Sequence, residues 1–255
     1  MILSALALAS GMAWAQSTST VQQLRSNVWL KQSSSLLFYD SSGNLTSEIG
    51  LGTWEDSSGS RVRIHEIRGG ASANGQFSWT LDRIQIWNPP RTKLLESRRT
   101  LRFFGTAGKE LWSRSEADVP ETGEPLLFSE DGKTVVVALS TEKGWTLSVR
   151  NYLGSSLMEA GPFPKLQAMA ITRNGRFAMA KWLVPDQSAS HTFLDIKTKA
   201  RKDIPSGELY LGLARIDDTG RIFSGRKMIF DFGAPLPETP PTPAPPATRE
   251  PASSP

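Results

Sequence analysis

The stretch Phe128-Ser-Glu-Asp-Gly-Lys-Thr-Val-Val-Val-Ala138 decides the fold. Its Asp-Gly pair separates a short apolar run from a run of β-branched residues. The tightest hairpin turns need positive φ at both central positions, which Asp, Asn and Gly tolerate. The segment therefore reads as two antiparallel strands joined by a tight turn. The arrangement recurs in Ala71-Ser-Ala-Asn-Gly-Gln-Phe-Ser-Trp79, Ile171-Thr-Arg-Asn-Gly-Arg-Phe-Ala-Met-Ala180 and Ile216-Asp-Asp-Thr-Gly-Arg-Ile-Phe-Ser224. The turn glycines, Gly75, Gly132, Gly175 and Gly220, are 57, 43 and 45 residues apart, close to the roughly 40–45 residues of a four-stranded propeller blade.

A second hairpin type interleaves with the first. It reads Leu36-Leu-Phe-Tyr-Asp-Ser-Ser-Gly-Asn-Leu45 around Gly43, Leu101-Arg-Phe-Phe-Gly-Thr-Ala-Gly-Lys-Glu-Leu-Trp112 around Gly108, and Leu147-Ser-Val-Arg-Asn-Tyr-Leu-Gly-Ser-Ser-Leu157 around Gly154. A copy without glycine spans Thr192-Phe-Leu-Asp-Ile-Lys-Thr-Lys-Ala-Arg-Lys202. Gly132 and Gly154 are 22 residues apart, so each repeat holds two hairpins in fixed order. Four short antiparallel strands per unit is the pattern of a propeller blade. Trp79, Trp112, Trp145 and Trp182 take equivalent strand positions and read as core.

At these residues the chain resembles known repeat families. Phe-Ser-Glu-Asp-Gly-Lys-Thr-Val-Val-Val-Ala is similar to the paired strands of WD-like, YVTN and Tol-B-type β-propellers, and Phe-Phe-Gly-Thr-Ala-Gly-Lys-Glu-Leu-Trp resembles the outer strands of PQQ-like repeats. The resemblance covers residues 36 to 232, selects no one family and carries over no binding residues or cofactor. It implies an all-β fold, a propeller of about four to five four-stranded blades. The 218 residues of 16–233 match five units at most. The amino-terminal region opens on an outer hairpin, whereas after Gly220 only Lys227-Met-Ile-Phe-Asp-Phe232 remains. The two ends are therefore expected to join in one closing blade, which removes open edges. The alternative is an open antiparallel sheet array or sandwich, because the Gly75–Gly132 interval is long. The surplus is expected in a loop around Ile86-Trp-Asn-Pro-Pro-Arg-Thr-Lys93.

The ends read differently. Met1 to Ala15 is a short apolar run ending in Ala13-Trp-Ala15, with the small residues that signal peptidase requires, and the terminal amine alone supplies the positive n-region. It is read as a cleaved export signal, followed by a flexible leader (16–27) and the propeller-like domain (28–233). Between Ala234 and Pro255 lie nine of the 17 prolines, with almost no large apolar side chain, so the tail reads as an extended, disordered spacer. No other stretch approaches the apolar length of a membrane span, so no transmembrane anchor is expected after cleavage.

Composition narrows the chemistry. The 255 residues contain no cysteine, which excludes disulfides, thiol nucleophiles and cysteine metal sites, and only His65 and His191 supply imidazole. Gly132-Lys133-Thr134 imitates the end of a phosphate loop, but Leu127 stands where glycine is needed and strands flank the turn. The same turn, Ser129 to Thr134, resembles the Asp-box of sialidase propellers, yet its glycine falls one position early and no Trp follows. Asp217 and Asp218 offer hard oxygen ligands, or are simply solvated turn residues. Asp186, Ser188, Ser190 and His191 form a superficial triad set, although working triads converge from distant segments. No metal or cofactor is expected.

Net charge is +4 and the sequence pI about 9.4. Strand alternation over Arg61-Val-Arg-Ile-His-Glu-Ile67 puts Val62, Ile64 and Glu66 on one face, and Arg61, Arg63, His65 and Ile67 on the other. With Arg98, Arg99 and Arg102, the Arg61, Arg63 and His65 face makes a candidate anion-binding surface, or a solvated outer strand. In an exported protein the acidic partners are phospholipid headgroups, wall polymers or acidic polysaccharides, not nucleic acid. The favoured function is a non-enzymatic binding or scaffold module of the periplasm or cell exterior, engaging a protein or an acidic envelope polymer; oligomeric state is not legible. The alternative is a hydrolase or lyase acting on an anionic glycan through the propeller channel. Mass spectrometry of protein from the native host should find Gln16 as the mature amino terminus; retention of residues 1–15 would overturn the export reading.

Overall fold

The computed structural model describes residues 13–17, 22–25, 28–30, 34–57, 60–184, 189–209 and 214–234. The remainder of the expected signal, much of the leader and all of the tail after Ala234 lie outside the described residues. Among the described residues every regular element is β-strand apart from two single 3-10 turns. The strands are β1 (Ala13–Ser17), β2 (Gln22–Arg25), β3 (Val28–Leu30), β4 (Ser34–Tyr39), β5 (Leu45–Asp56), β6 (Val62–Ala71), β7 (Ser78–Trp87), β8 (Leu94–Phe104) and β9 (Glu110–Arg114). There follow β10 (Leu126–Phe128), β11 (Thr134–Thr141), β12 (Gly144–Asn151), β13 (Ser156–Phe163), β14 (Lys165–Ile171), β15 (Phe177–Leu183), β16 (Ala189–Asp195) and β17 (Ala200–Pro205). The last are β18 (Arg215–Ile216), β19 (Arg221–Ser224) and β20 (Lys227–Asp231).

Neighbours in sequence pair antiparallel throughout the repeat region. β10–β13 and β14–β17 are four-stranded meanders, and β18–β20 a three-stranded one. β6 to β9 run in the same order inside a nine-stranded sheet that also holds β1 to β5. The chain is thus an all-β protein built from β-propeller-type repeats. The seven glycines expected at turns, from Gly43 to Gly220, have φ between 66° and 89°.

Alternation explains how the sheets stack. Val135 and Val137 join Trp79, Leu81, Leu101 and Phe103 in one core, while Val136 and Ala138, on the other face of the same strand, join Leu166, Ala178, Ala180 and Leu194 in the next. A continuous apolar run is required because both faces of β11 are covered. Leu36, Phe38, Leu51 and Phe104 fill the preceding seam, and Phe193, Ile204 and Ile222 the following one. Trp79 is buried, and Trp112, Trp145 and Trp182 pack on these cores as half-buried rings.

The inner turns form a ladder along this stack. In the first three, a hydroxyl bonds the carboxamide or carboxylate two residues on: Ser72 to Asn74 (2.7 Å), Ser129 to Asp131 (2.7 Å) and Thr172 to Asn174 (2.8 Å). The fourth reverses the roles, with Asp217 accepting from the Thr219 hydroxyl at 2.6 Å. Successive turns also bond each other: Asn74 Nδ2 donates to the Asp131 carbonyl (2.9 Å), the Glu130 N–H to the Arg173 carbonyl (2.8 Å), and Asn174 Nδ2 to the Asp218 carbonyl (2.7 Å). A Cβ on Gly132 would lie 2.5 Å from the Phe77 ring and one on Gly220 2.5 Å from the Phe177 ring, so each glycine also admits the aromatic of the preceding repeat.

One expectation finds no support among the described residues and another needs correction. The ends do not join among the described residues: β4 pairs with β1 and β5, β5 continues into β6, and β18–β20 pair only with each other. Pairing with a sequence neighbour closes a short loop and costs less chain entropy than pairing across the whole domain. The surplus between Gly75 and Gly132 is not a long loop either. Residues 88–93 form a short turn, with Asn88 N–H bonded to the Lys93 carbonyl at 3.1 Å, and the extra length lies in the strands β7 and β8, 10 and 11 residues long, and in the connection after β9.

The ladder predicts a contrast between two glycines of similar φ. A methyl group added at Gly43 would meet nothing within 4 Å, whereas one at Gly132 would abut Phe77. Gly43→Ala should cost only the backbone term, about 1 kcal/mol, and Gly132→Ala about 2–4 kcal/mol, measured by chemical denaturation. Equal losses would mean that the ladder contact contributes nothing.

Candidate functional site

The first long sheet runs past the stack. β6 and β7 stay paired over ten residues, from Val62 opposite Trp87 to Ala71 opposite Ser78. β8 continues alongside to Leu94, and the second half of β5 lines β6 from Gly52 to Asp56. In β10–β13 no strand exceeds eight residues. The additional pairs form a sheet extension capped by the 88–93 turn, where Arg91 at φ 56° makes an ion pair with Glu55. Leu94 and Leu95 at its tip are 41% and 47% exposed.

Register places the six residues of the candidate anion surface. His65 lies opposite Ile84, which lies opposite Arg98; Arg63 lies opposite Ile86; Arg102 lies opposite Thr80. Directly opposed residues share a face, so Arg63, His65, Arg98 and Arg102 are on one side of the sheet. Arg61 precedes the strand and is exposed. Arg99 does not belong to this group. It sits one residue from Arg98 on the same strand and faces the other way, opposite Arg83. The shared face is also partly compensated: His65 Nε2 lies 2.8 Å from Asp82 Oδ1, with Trp54 stacked 5.3 Å from its ring, and Arg98 Nε lies 2.5 Å from Glu96. Arg61, Arg63 and Arg102 stay exposed, with no carboxylate at ion-pair distance among the described residues.

The opposite face carries a cluster that sequence spacing does not show. Arg99 makes a close ion pair with Asp118, and Arg83 lies 3.8 Å from the same carboxylate and 3.9 Å from Glu66. Glu66 is bound more closely by Arg68, at 2.7 Å. Asp118 is delivered by the connection after β9, held on β11 by the Ala117–Leu139 bridge and by its own N–H to the Ala138 carbonyl at 3.1 Å. Burial and the neighbouring Arg83 charge hold the Arg99 guanidinium pKa below its ordinary value. Nothing in the local sequence pairs Arg83 with Arg99, since that depends on the length of the intervening turn.

The remaining sequence-flagged groups serve the fold. Lys133 N–H bonds Asp131 Oδ1 at 3.0 Å and Thr134 N–H bonds Ser129 Oγ at 3.0 Å, so the phosphate-loop mimic is a hairpin turn. Asp217 accepts from the Thr219 and Arg221 N–H groups, and Asp218 from the Asn174 N–H at 3.2 Å. Among the described residues no group of three metal-ligating side chains comes together. Asp186 and Ser188 lie outside the described residues. His191 is 1% exposed in the seam facing β18–β20, with its Nδ1 unpartnered and its ring beside Phe193. Desolvation, then the Lys181 charge, pushes its pKa down to about 4.

No family model matches this chain, and no curated protein does. Solved structures do match. The β-propeller domain of the Trilobed protease from Pyrococcus furiosus is 14% identical over 58% of this chain, with a TM-score of 0.32, and this chain spans only 40% of its length. A putative 6-phosphogluconolactonase from Bacteroides fragilis is 13% identical over 72% of this chain and 68% of its own, with a TM-score of 0.36. A chain of a mitotic checkpoint complex is 9% identical over 86% of this chain and 75% of its own, with a TM-score of 0.37. All three scores lie below 0.5; the propeller-type assignment rests on the strand order and turn ladder of the chain itself.

The buried imidazole sets a pH dependence. His191 is neutral in the fold down to about pH 4, while an unfolded histidine takes up its proton near pH 6.5. Between those values the unfolded chain binds more protons, so stability falls as pH is lowered, by up to about 1.4 kcal/mol per pH unit. Urea unfolding at pH 7 and pH 5 should show this loss, and His191→Leu should flatten it. An unchanged slope in the variant would exclude His191 as its source.

Proposed function

We propose that this chain is an exported, non-enzymatic binding or scaffold module of the periplasm or cell exterior, and that it meets its partner with the exposed face of the sheet extension. In this reading the stack is an arc of four to five propeller blades. The observation that carries the proposal is the extension itself: strands of 10 to 12 residues leave the stack, with exposed Arg61, Arg63 and Arg102 on or beside one face. The turn ladder and the clustered core do not require that length, since beyond Leu81 and Leu101 no residue of β7 or β8 joins that core. Exposed guanidiniums on a rigid sheet select acidic groups through charge and paired N–H donors. The partner is accordingly a protein with an acidic surface or an acidic envelope polymer. Export, as the amino-terminal segment is read, brings such polymers within reach.

Retention of the purified protein on a phosphorylated or carboxylated polyanion matrix tests this. The wild type should bind at low salt and elute as salt screens the contact. The triple variant Arg61→Glu, Arg63→Glu, Arg102→Glu should elute with the void volume while keeping its melting temperature. Identical elution of the two proteins would overturn the assignment of this face.

A further inference from the structure

We propose a second, discrete site on the opposite face of the extension: a position for a single oxyanion between Arg83 and Arg99, in the seam with the connection after β9. The inference is independent of the reading above, since it uses none of the residues on that face. Register sets Arg83 directly opposite Arg99, and like charges directly opposed across strands repel unless an anion lies between them. The described residues supply too little negative charge to satisfy them. Arg68, Arg83 and Arg99 share only Glu66 and Asp118, leaving one positive charge over.

The distribution of contacts singles out Arg83. Asp118 is committed to Arg99 and to the Val119 N–H at 2.9 Å, and Glu66 to Arg68. The Arg83 guanidinium reaches both carboxylates only at 3.8 Å and 3.9 Å, beyond hydrogen-bond range, and its Nε is buried with no partner. A desolvated donor without an acceptor is unfavourable, and a planar fork of N–H groups matches a tetrahedral or carboxylate oxyanion. The site is accessible: the Arg83 and Arg99 side chains keep 32% and 26% of their exposure. The ligand class is therefore a sulfate, phosphate or carboxylate group, free or carried on a larger molecule.

Titration of the full-length protein with sodium sulfate, sodium acetate and sodium chloride at matched ionic strength, followed by the side-chain Nε–H resonances of arginine, tests the site. Sulfate should move the Arg83 resonance saturably, and chloride should not; a comparable response to acetate widens the class to carboxylates, whereas sulfate alone restricts it to tetrahedral anions. Arg83→Gln should weaken sulfate binding tenfold or more. Asp118→Asn, which removes the competing carboxylate, should tighten it, with the backbone spectrum confirming that the seam stays closed. The Arg61, Arg63 and Arg102 triple variant should bind sulfate as the wild type does, so that failure of this site and failure of the outer face are distinguishable. No saturable shift with either oxyanion, or Arg83→Gln binding like wild type, would overturn the proposal.

Discussion

The fold depends on one contact repeated along the stack: the left-handed glycine of an inner turn lying against a side chain that begins the second strand of the preceding repeat. Phe77 fills the space above Gly132, Thr134 the space above Gly175, and Phe177 the space above Gly220. A tight turn with positive φ and a close approach of two sheets are separate demands, and glycine is the residue that meets both. Because the turns also bond each other through Asn74 and Asn174, the spacing of the sheets is set at the turns and the apolar cores fill in behind. Val135 to Ala138 can then be apolar at every position, since a sheet at fixed distance waits on either side.

That constraint also explains where the molecule is free to vary. The ladder fixes one end of each sheet and leaves the other end unconstrained. In β10–β13 and β14–β17 no strand exceeds eight residues, and they stop when the core is filled. In β6 to β8 they continue, and beyond the core their alternation changes character: Trp79, Leu81, Leu101 and Phe103 give way to Arg83, Arg99 and Glu66 on the same face. A sheet that extends past its neighbours leaves both faces partly open, so polar side chains occur on both, and those nearest the seam carry a desolvation cost that ion pairing offsets.

The charges nevertheless organise. Asp118 comes from a segment anchored on β11, and its ion pairs with Arg99 and Arg83 tie the base of the extension to the next sheet. Histidine follows the same division. His65, half-buried on the outer face, has Asp82 as partner, whereas His191, enclosed in the seam before β18–β20, is desolvated beside the Lys181 charge and stays neutral far below the ordinary imidazole range. Two histidines in strands of similar alternation thus differ because one strand face meets solvent and the other meets a sheet.

Local chemistry in the sequence determined the turns, their order and the antiparallel pairing of neighbours, because each turn glycine alone supplies the positive φ that closes the hairpin, while Asn74, Asp131 and Asn174 keep negative φ. The packing of Trp79, Trp112, Trp145 and Trp182 on the cores was legible from their equivalent places in the repeats, although only Trp79 is fully buried. The tertiary structure decided what depends on register and on distant segments. Whether Arg99 shares a face with Arg98 is a matter of strand continuity, and whether it meets Arg83 depends on the number of residues in the 88–93 turn. The arrival of Asp118 depends on which segment pairs with β11, a matter of distant chain. A one-residue change in register reverses every such assignment, and no local propensity encodes it.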